Sequence, residues 1–485
     1  MIENNLKQKT ISGLLWQFTQ KIINQLISFV VTVILARILM PEDYGVVALA
    51  GMFNILIGVF LDNGLGSALI QKKEADELDY NTVFYSNLLC SCLIYGVIFC
   101  VAPFCAAAYN QELICPIMRV MSLTIPLSAL SVVQSSIISR QLQFKVLFYA
   151  GIIGNVISAI VGITMAYRGF GPWALVGQLM VGNITSIIVS FYVIRWYPKM
   201  QFSWLRFKGM FSYAWKKQVA GAIGTLCYQL KGYLIGYKYS VSDLAYYNRG
   251  EGLPEMFMAN INGSINGVLF PALSKLQSDP QAIKRAIRRS MMTSSYILCP
   301  LLFGLAAMAE QIVPVLYTEK WSSAIPFMQV ACLTCCMTVL NTANLQALLA
   351  IGRSGEVLKL EIYKKPVMIL ILAIAVFISP IAISIGLFVY SIYVLLMNTI
   401  PNKKYIDYSI REQLNDVKPA FLLSGIMAII VYLLGTMPIN VYLIMLIQFL
   451  AGATIYVGLS SLLRLEAYIY FLETITKLLR NKIQK

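Results

Sequence analysis

This 485-residue chain contains no histidine, and charged residues make up only 12% of it. The first absence excludes a histidine proton relay and leaves any metal site to cysteine and carboxylate ligands. The second excludes an ordinary soluble domain, which carries roughly twice that charge fraction. No Gly-rich phosphate loop or nucleotide-binding domain is present, so direct ATP use is not expected. No cleavable signal is expected either, because the polar start runs into an apolar stretch of spanning length. The ten cysteines lie almost entirely within apolar segments. Cys332, Cys335 and Cys336 have the look of a ligand cluster, but they fall mid-helix and read as small packing residues, so neither a metal nor another cofactor is expected.

What the chain has instead is apolar sequence. Hydrophobic residues make up 58%, and the mean hydropathy is +0.72. A membrane crossing needs roughly 20 apolar residues. The chain divides into about fourteen such stretches, at 11–39, 43–70, 80–108, 113–139, 144–167, 170–196, 209–237, 243–273, 282–311, 322–350, 355–378, 381–400, 417–436 and 439–463. The fold class expected is therefore an all-α polytopic membrane protein.

Connections between these stretches alternate in charge. One set carries Lys72 and Lys73; Lys199, Arg206 and Lys208; Lys284, Arg285, Arg288 and Arg289; Lys359, Lys364 and Lys365; and Lys403 and Lys404. The other set holds little beyond Arg37, Arg168, Lys238 and Lys320. Positive charge is retained on the cytoplasmic side, which places both termini inside a plasma (inner) membrane. The net charge of +16 is thus read as topology and anionic-lipid contact, with no nucleic-acid partner. From Leu465 onward, Tyr468, Ile469, Leu472, Ile475 and Leu479 recur at helical spacing opposite Lys477 and Arg480, as in a helix lying at the interface.

A weak internal repeat aligns Pro116–Thr124 with Pro326–Thr334, with matches at Pro, Met, Val, Leu and Thr. Tyr109 and Tyr317, Asp43 and Asp243, Arg140 and Arg353, and Lys145 and Lys359 fall at similar offsets. The repeat divides the chain into an N-terminal lobe (1–200, helices one to six), a C-terminal lobe (201–410, helices seven to twelve), two extra helices (411–464) and an interfacial helix (465–485). Six crossings per lobe make the lobes parallel, related about the membrane normal, with a cavity expected between them.

Ionisable groups within the bilayer are costly and usually face a cavity or a partner. Lys231 and Glu251 each lie ten residues from the turn near Val241, hence about 15 Å deep, where an ion pair is geometrically possible. Arg249 and Glu255 flank that level. Lys21 and Asp62 lie about 30 Å from the first lobe's turn, near the cytoplasmic mouth. Gln17, Lys21, Asn24, Ser28 and Thr32 share one face of the first helix, and Tyr228 and Gln229 accompany Lys231. Such faces line a wet pathway or bond helices together; sequence leaves both readings open.

The stretches Ala36-Arg-Ile-Leu-Met-Pro-Glu-Asp-Tyr-Gly45, Asp62-Asn-Gly-Leu-Gly-Ser-Ala-Leu-Ile-Gln71, Phe270-Pro-Ala-Leu-Ser-Lys-Leu-Gln277 and Tyr317-Thr-Glu-Lys-Trp321 resemble bacterial Wzx-type oligosaccharide flippases. These belong to the multidrug/oligosaccharidyl-lipid/polysaccharide exporter superfamily, and the colanic-acid and teichuronic-acid exporter branch is the nearest in character. The resemblance implies transfer of an undecaprenyl-pyrophosphate-linked oligosaccharide between leaflets by alternating access, without an enzymatic step. The residues found by depth and helix face suit that role, with Lys231, Arg249, Lys21, Gln17, Asn24 and Tyr228 as expected substrate contacts and Asp62, Glu251 and Glu255 as paired or ion-coupling carboxylates, although no family motif flanks the cations. The partners the resemblance implies are the lipid-linked oligosaccharide, membrane lipids, a polysaccharide polymerase and a chain-length regulator, around a monomeric chain. A multidrug exporter on the same fold is the rival, and would favour carboxylates and aromatics over Lys and Arg in its cavity. A polymerase or ligase would need a sizeable outer loop with catalytic groups, and the outer connections are short.

Overall fold

The structure is a computed structural model that describes residues 2–62, 65–72, 74–141, 144–274, 276 and 279–473. Among them there are helices and connecting turns but no strands, the result expected where a bilayer leaves backbone groups no water to bond. Two compact units divide at Ala245/Tyr246.

The first unit contains α1 (Ile2–Ile38), α2 (Pro41–Asp62), α3 (Leu65–Gln71), α4 (Glu77–Ala108), α5 (Ile114–Ser122), α6 (Thr124–Gln141), α7 (Phe144–Tyr167), α8 (Trp173–Ile194) and α9 (Trp204–Lys238), and ends with the opening of α10 (Val241–Ser274). The second takes the rest of α10, then α11 (Pro280–Ala307), α12 (Ala309–Tyr317), a 3₁₀ turn over Glu319–Ala324, α13 (Ile325–Ala350), α14 (Ser354–Ala375), α15 (Pro380–Ile406), α16 (Ile410–Gly435) and α17 (Val441–Leu462). Residues 466–473 form the helix α18; the remainder of the expected interfacial helix, including Ile475, Lys477, Leu479 and Arg480, lies outside the described residues.

Local chemistry sets the helix ends. Asp76 and Asp79 form a capping box at α4, Ser409 and Glu412 another at α16, and Asp279 and Ser379 cap helices that open on Pro280 and Pro380. Gly169 and Gly171 take positive φ in the turn before Pro172, a conformation that favours residues without Cβ.

Among the described residues, ten helical segments are long and apolar enough to cross a membrane. The four remaining expected crossings coincide with α2–α3, α9, α10 and α14, and the sequence count of fourteen depends on adding them. Some expected continuous helices are divided. The stretch 113–139 breaks at Leu123 between α5 and α6, and 282–311 breaks at Met308 between α11 and α12, with a 3₁₀ turn opening the stretch that becomes α13.

The packing of helices repeats within each unit. In the first, α4 packs on α6, α6 on α8, and α7 on α8; in the second, α11 packs on α13, α13 on α15, and α14 on α15. Asp43 and Asp243 are equivalent in detail: each sits in the first turn of its helix and accepts the backbone N–H of the residue before it, Met40 (2.9 Å) or Ser240 (3.2 Å). Arg140 and Arg353 differ in role. Arg140 donates to the Leu69 and Lys72 carbonyls at the end of α3, whereas Arg353 lies over the Tyr405 ring. Helix α9, placed by sequence at the head of the second lobe, packs on α2, α3 and α4 of the first unit. Helices α16 and α17 pack on α11.

Candidate functional site

Helices α9 and α10 are of spanning length, at 35 and 34 residues, yet neither is apolar enough to count among the ten spans. Their polarity comes in part from the residues singled out by depth. Lys231, on α9, is half-buried with its ammonium 4.8 Å from the centre of the Tyr228 ring one turn earlier. Tyr228 itself is exposed, and Gln229 is buried. On α10, Glu251 accepts a hydrogen bond from the hydroxyl of Tyr247, a fully buried tyrosine one turn before it. Glu255 is half-buried one turn further along.

Arg249 has an environment that sequence reasoning did not anticipate. Its guanidinium lies 5.0 Å from the Tyr317 ring centre and 4.9 Å from that of Trp321, the two aromatics of the Tyr317–Trp321 motif. Trp321 is fully buried, so Arg249 ties that motif to α10 through cation–π contact. One turn of helix thus carries a glutamate bonded to a tyrosine and an arginine bonded to an aromatic pair.

On α1, Lys21 is exposed and Asn24 half-buried. A side chain at Gly151 of α7 would meet the amides of Gln20 and Asn24, so Asn24 faces a neighbouring helix. The side chains of Gln17 and Asp62 lie outside the described residues.

The second unit also holds a buried polar network that the sequence did not signal. Lys364 of α14 is almost fully buried; it pairs with Glu361 at 2.5 Å and donates to Asn398 of α15 at 3.3 Å. Asn398 donates in turn to Asn341 of α13. A turn away, Asn344 of α13, Asn402 of α15 and Gln413 of α16 exchange hydrogen bonds of 2.6–3.0 Å, all three buried. In sequence Lys364 resembled a loop anchor beside Lys365, and single asparagines on apolar helices carry no spacing signal. Cys332, Cys335 and Cys336 pack with Cys299, Leu298 and Leu302 in an apolar cluster.

The first unit has a cavity of about 440 Å³ walled by α2, α4, α6 and α8, where α5 breaks from α6. Its polar lining is uncharged: Asn54, Asn87, Thr124, Ser128 and Asn183.

The polysaccharide biosynthesis protein family matches residues 34–326, more than half of the chain. The chain belongs to that family. Its relatives include a succinoglycan biosynthesis transport protein of Rhizobium meliloti, 27% identical over 62% of this chain. That match spans 61% of the relative's own length. A teichuronic acid biosynthesis protein of Bacillus subtilis is 22% identical over 72% of this chain and 73% of its own. A lipopolysaccharide biosynthesis protein of Escherichia coli is 22% identical over 89% of this chain and 88% of its own. Among solved structures, lipid II flippase MurJ in an inward closed conformation superposes with a TM-score of 0.73 at 16% identity, covering 95% of this chain and all of that one. An inward-facing multidrug resistance transporter of the MOP superfamily gives 0.57 at 14% identity, covering 80% of this chain and 96% of that one. These likenesses establish the fold of this polysaccharide biosynthesis family member as that of a multi-pass membrane transporter.

Proposed function

We propose that this family member is a flippase that moves undecaprenyl-pyrophosphate-linked oligosaccharide repeat units across the bacterial inner membrane, by alternating access, for export of surface polysaccharide. The observation that carries the proposal is the placement of Lys231, Glu251 and Glu255 within helices of spanning length. Groups so expensive to hold in a bilayer are kept for a substrate or ion path. Lys231 contacts the anionic headgroup and Arg249 supports α10 beside it in the chain, while the lipid tail stays in the bilayer. Lys21, Gln17, Asn24 and Tyr228 extend the contacts, and Asp62, Glu251 and Glu255 are neutralised or paired during the cycle. The chain acts as a monomer with both termini in the cytoplasm, alongside a polysaccharide polymerase and a chain-length regulator, and performs no covalent chemistry.

The test is deletion of the gene in its native host, with surface polysaccharide and the sidedness of lipid-linked oligosaccharide as readouts. Loss of surface polymer, with precursor accumulating on the cytoplasmic side, supports a flippase. Unchanged polymer with a raised sensitivity to cationic drugs supports a multidrug exporter instead.

A further inference from the structure

We propose that the cavity in the first unit is a subsite for an uncharged, hydroxyl-rich group, namely a neutral sugar ring of the cargo. This rests on the flippase reading above and specifies which part of the substrate the first unit holds.

The lining is selective in its chemistry. Asn54, Asn87, Thr124, Ser128 and Asn183 are amides and hydroxyls, and every one of those groups can both donate and accept a hydrogen bond. Sugar hydroxyls have the same dual character. Neither an ionisable nor an aromatic residue lines the cavity among the described residues, so it offers nothing to a diphosphate or an organic cation. Its volume of about 440 Å³ falls in the usual range of small-ligand pockets.

Two of its polar atoms await a partner. Asn87 is 3% exposed, and its Nδ2 meets no hydrogen-bonding group among the described residues; the same holds for the buried Oδ1 of Asn54. A buried amide atom left without a partner is costly to hold, and a ligand that supplies one gains by it. Ser128 already donates to the Asn183 amide oxygen, at 3.4 Å, which leaves that pair partly engaged.

The backbone is shaped for the same purpose. Gly51, Asn54, Ile55 and Gly58 recur at helical spacing on α2 and form one wall. A Cβ at Gly58 would meet open space. Opposite, Thr124, Ile125, Ser128 and Val132 of α6, just beyond the break after Ser122, form the facing wall. The repeat partner of this stretch does not break: α13 runs unbroken through Thr334, whose hydroxyl bonds the carbonyl one turn back as in a regular helix. The same Pro-x-Met-x-Val-x-x-Leu-Thr pattern therefore makes a plain helix in one unit and a cavity wall in the other.

The test uses the full-length protein in detergent with a diazirine-bearing neutral disaccharide as the probe, and a flippase-deletion strain for complementation. Gly58→Leu fills the cavity from an open position and gains helix propensity; Gly96→Leu, on α4, also at an open glycine, is the control. The expected result is photolabelling of the peptide holding residues 121–132, competed by unlabelled disaccharide and lost at least tenfold in Gly58→Leu but not in Gly96→Leu. Surface polysaccharide should fall in parallel. Labelling that is scattered, or unchanged by Gly58→Leu, means that the cavity holds only water, and overturns the subsite. Full complementation by Gly58→Leu does the same while leaving the flippase reading intact. Failure of the native chain to complement would instead overturn the flippase reading itself. A second variant, Asn87→Gln, keeps the amide and should retain part of the labelling that Asn87→Leu abolishes, provided both unfold within a few degrees of the native chain.

Discussion

At the scale of single residues, close approach and buried polarity decide most. Gly45, the last residue of the Ala36–Gly45 motif, lies against the Val241 backbone, and a Cβ there would overlap the Val241 carbonyl. Because backbone cannot swing aside as a side chain can, Gly45→Ala should destabilise the protein by about 1–3 kcal/mol, read as a lower midpoint of thermal unfolding in detergent. Its presence in the motif therefore has a packing cause. Asn344 illustrates the opposite case. With Asn402 and Gln413 it closes a buried triad, and Asn344→Leu would remove the donor to Gln413 Oε1 and leave the Asn402 and Gln413 NH2 groups only the backbone carbonyls of residue 344 and Tyr408. A loss of about 2–4 kcal/mol is expected, and replacing all three by apolar residues of similar size should recover part of it. None of the three was legible in the sequence, since an asparagine's value here depends on which asparagine faces it across another helix.

At the scale of elements, charged residues staple helix ends together. Lys72 and Arg206 reach the buried carboxylate of Asp79 at 2.6 and 3.0 Å, Arg206 also bonds Asp76, and Lys199 meets Glu77 at 2.5 Å. The start of α9 is thereby fixed to the start of α4. The hydrogen bond from Arg206, followed by that from the Asp79 backbone, holds the Asp76 carboxyl down at about 2 from its usual 3.8. A depressed carboxylate stabilises the fold above its unfolded value and loses that contribution as pH falls through the folded one. Thermal midpoints should therefore hold from neutral pH to about 4 and drop between about 4 and 2. Asp76→Asn should lower the midpoint at pH 7 and converge with the native chain near pH 2. The effect is small because the Asp76 side chain is exposed and screened. Sequence did supply the parts of this staple, as Lys72, Lys199 and Arg206 in the positively charged connections. It assigned them to topology and anionic-lipid contact, because the acidic partners lie more than a hundred residues away in the case of Lys199 and Arg206.

At the scale of the whole molecule, function is expected to depend on the few charges kept in α9 and α10. Lys231→Gln should lower surface polysaccharide by about tenfold at normal expression, and Lys231→Arg should restore much of it, because a phosphate-directed cation needs its charge first. Equal output from Lys231→Gln and the native chain, measured by quantitative staining of the polymer, would remove Lys231 from the path. Arg249→Lys should act differently: the ring contacts with Tyr317 and Trp321 favour a planar guanidinium, so its cost should register in unfolding temperature as well as in export.

Hydropathy and charge spacing were enough to establish a helical, multi-pass membrane protein, because lipid demands long apolar helices and each helix bonds its own backbone. The Asp43/Asp243 equivalence was likewise readable, each carboxylate bonding a near neighbour in the chain. Only the tertiary structure decided which of the two related Pro-to-Thr stretches breaks, that Lys364 reaches the Asn398 amide on another helix, and that Arg249 meets the Tyr317–Trp321 pair. Those outcomes depend on side chains brought together from distant helices, and a pattern read along one strand of sequence carries no record of which helix lies opposite.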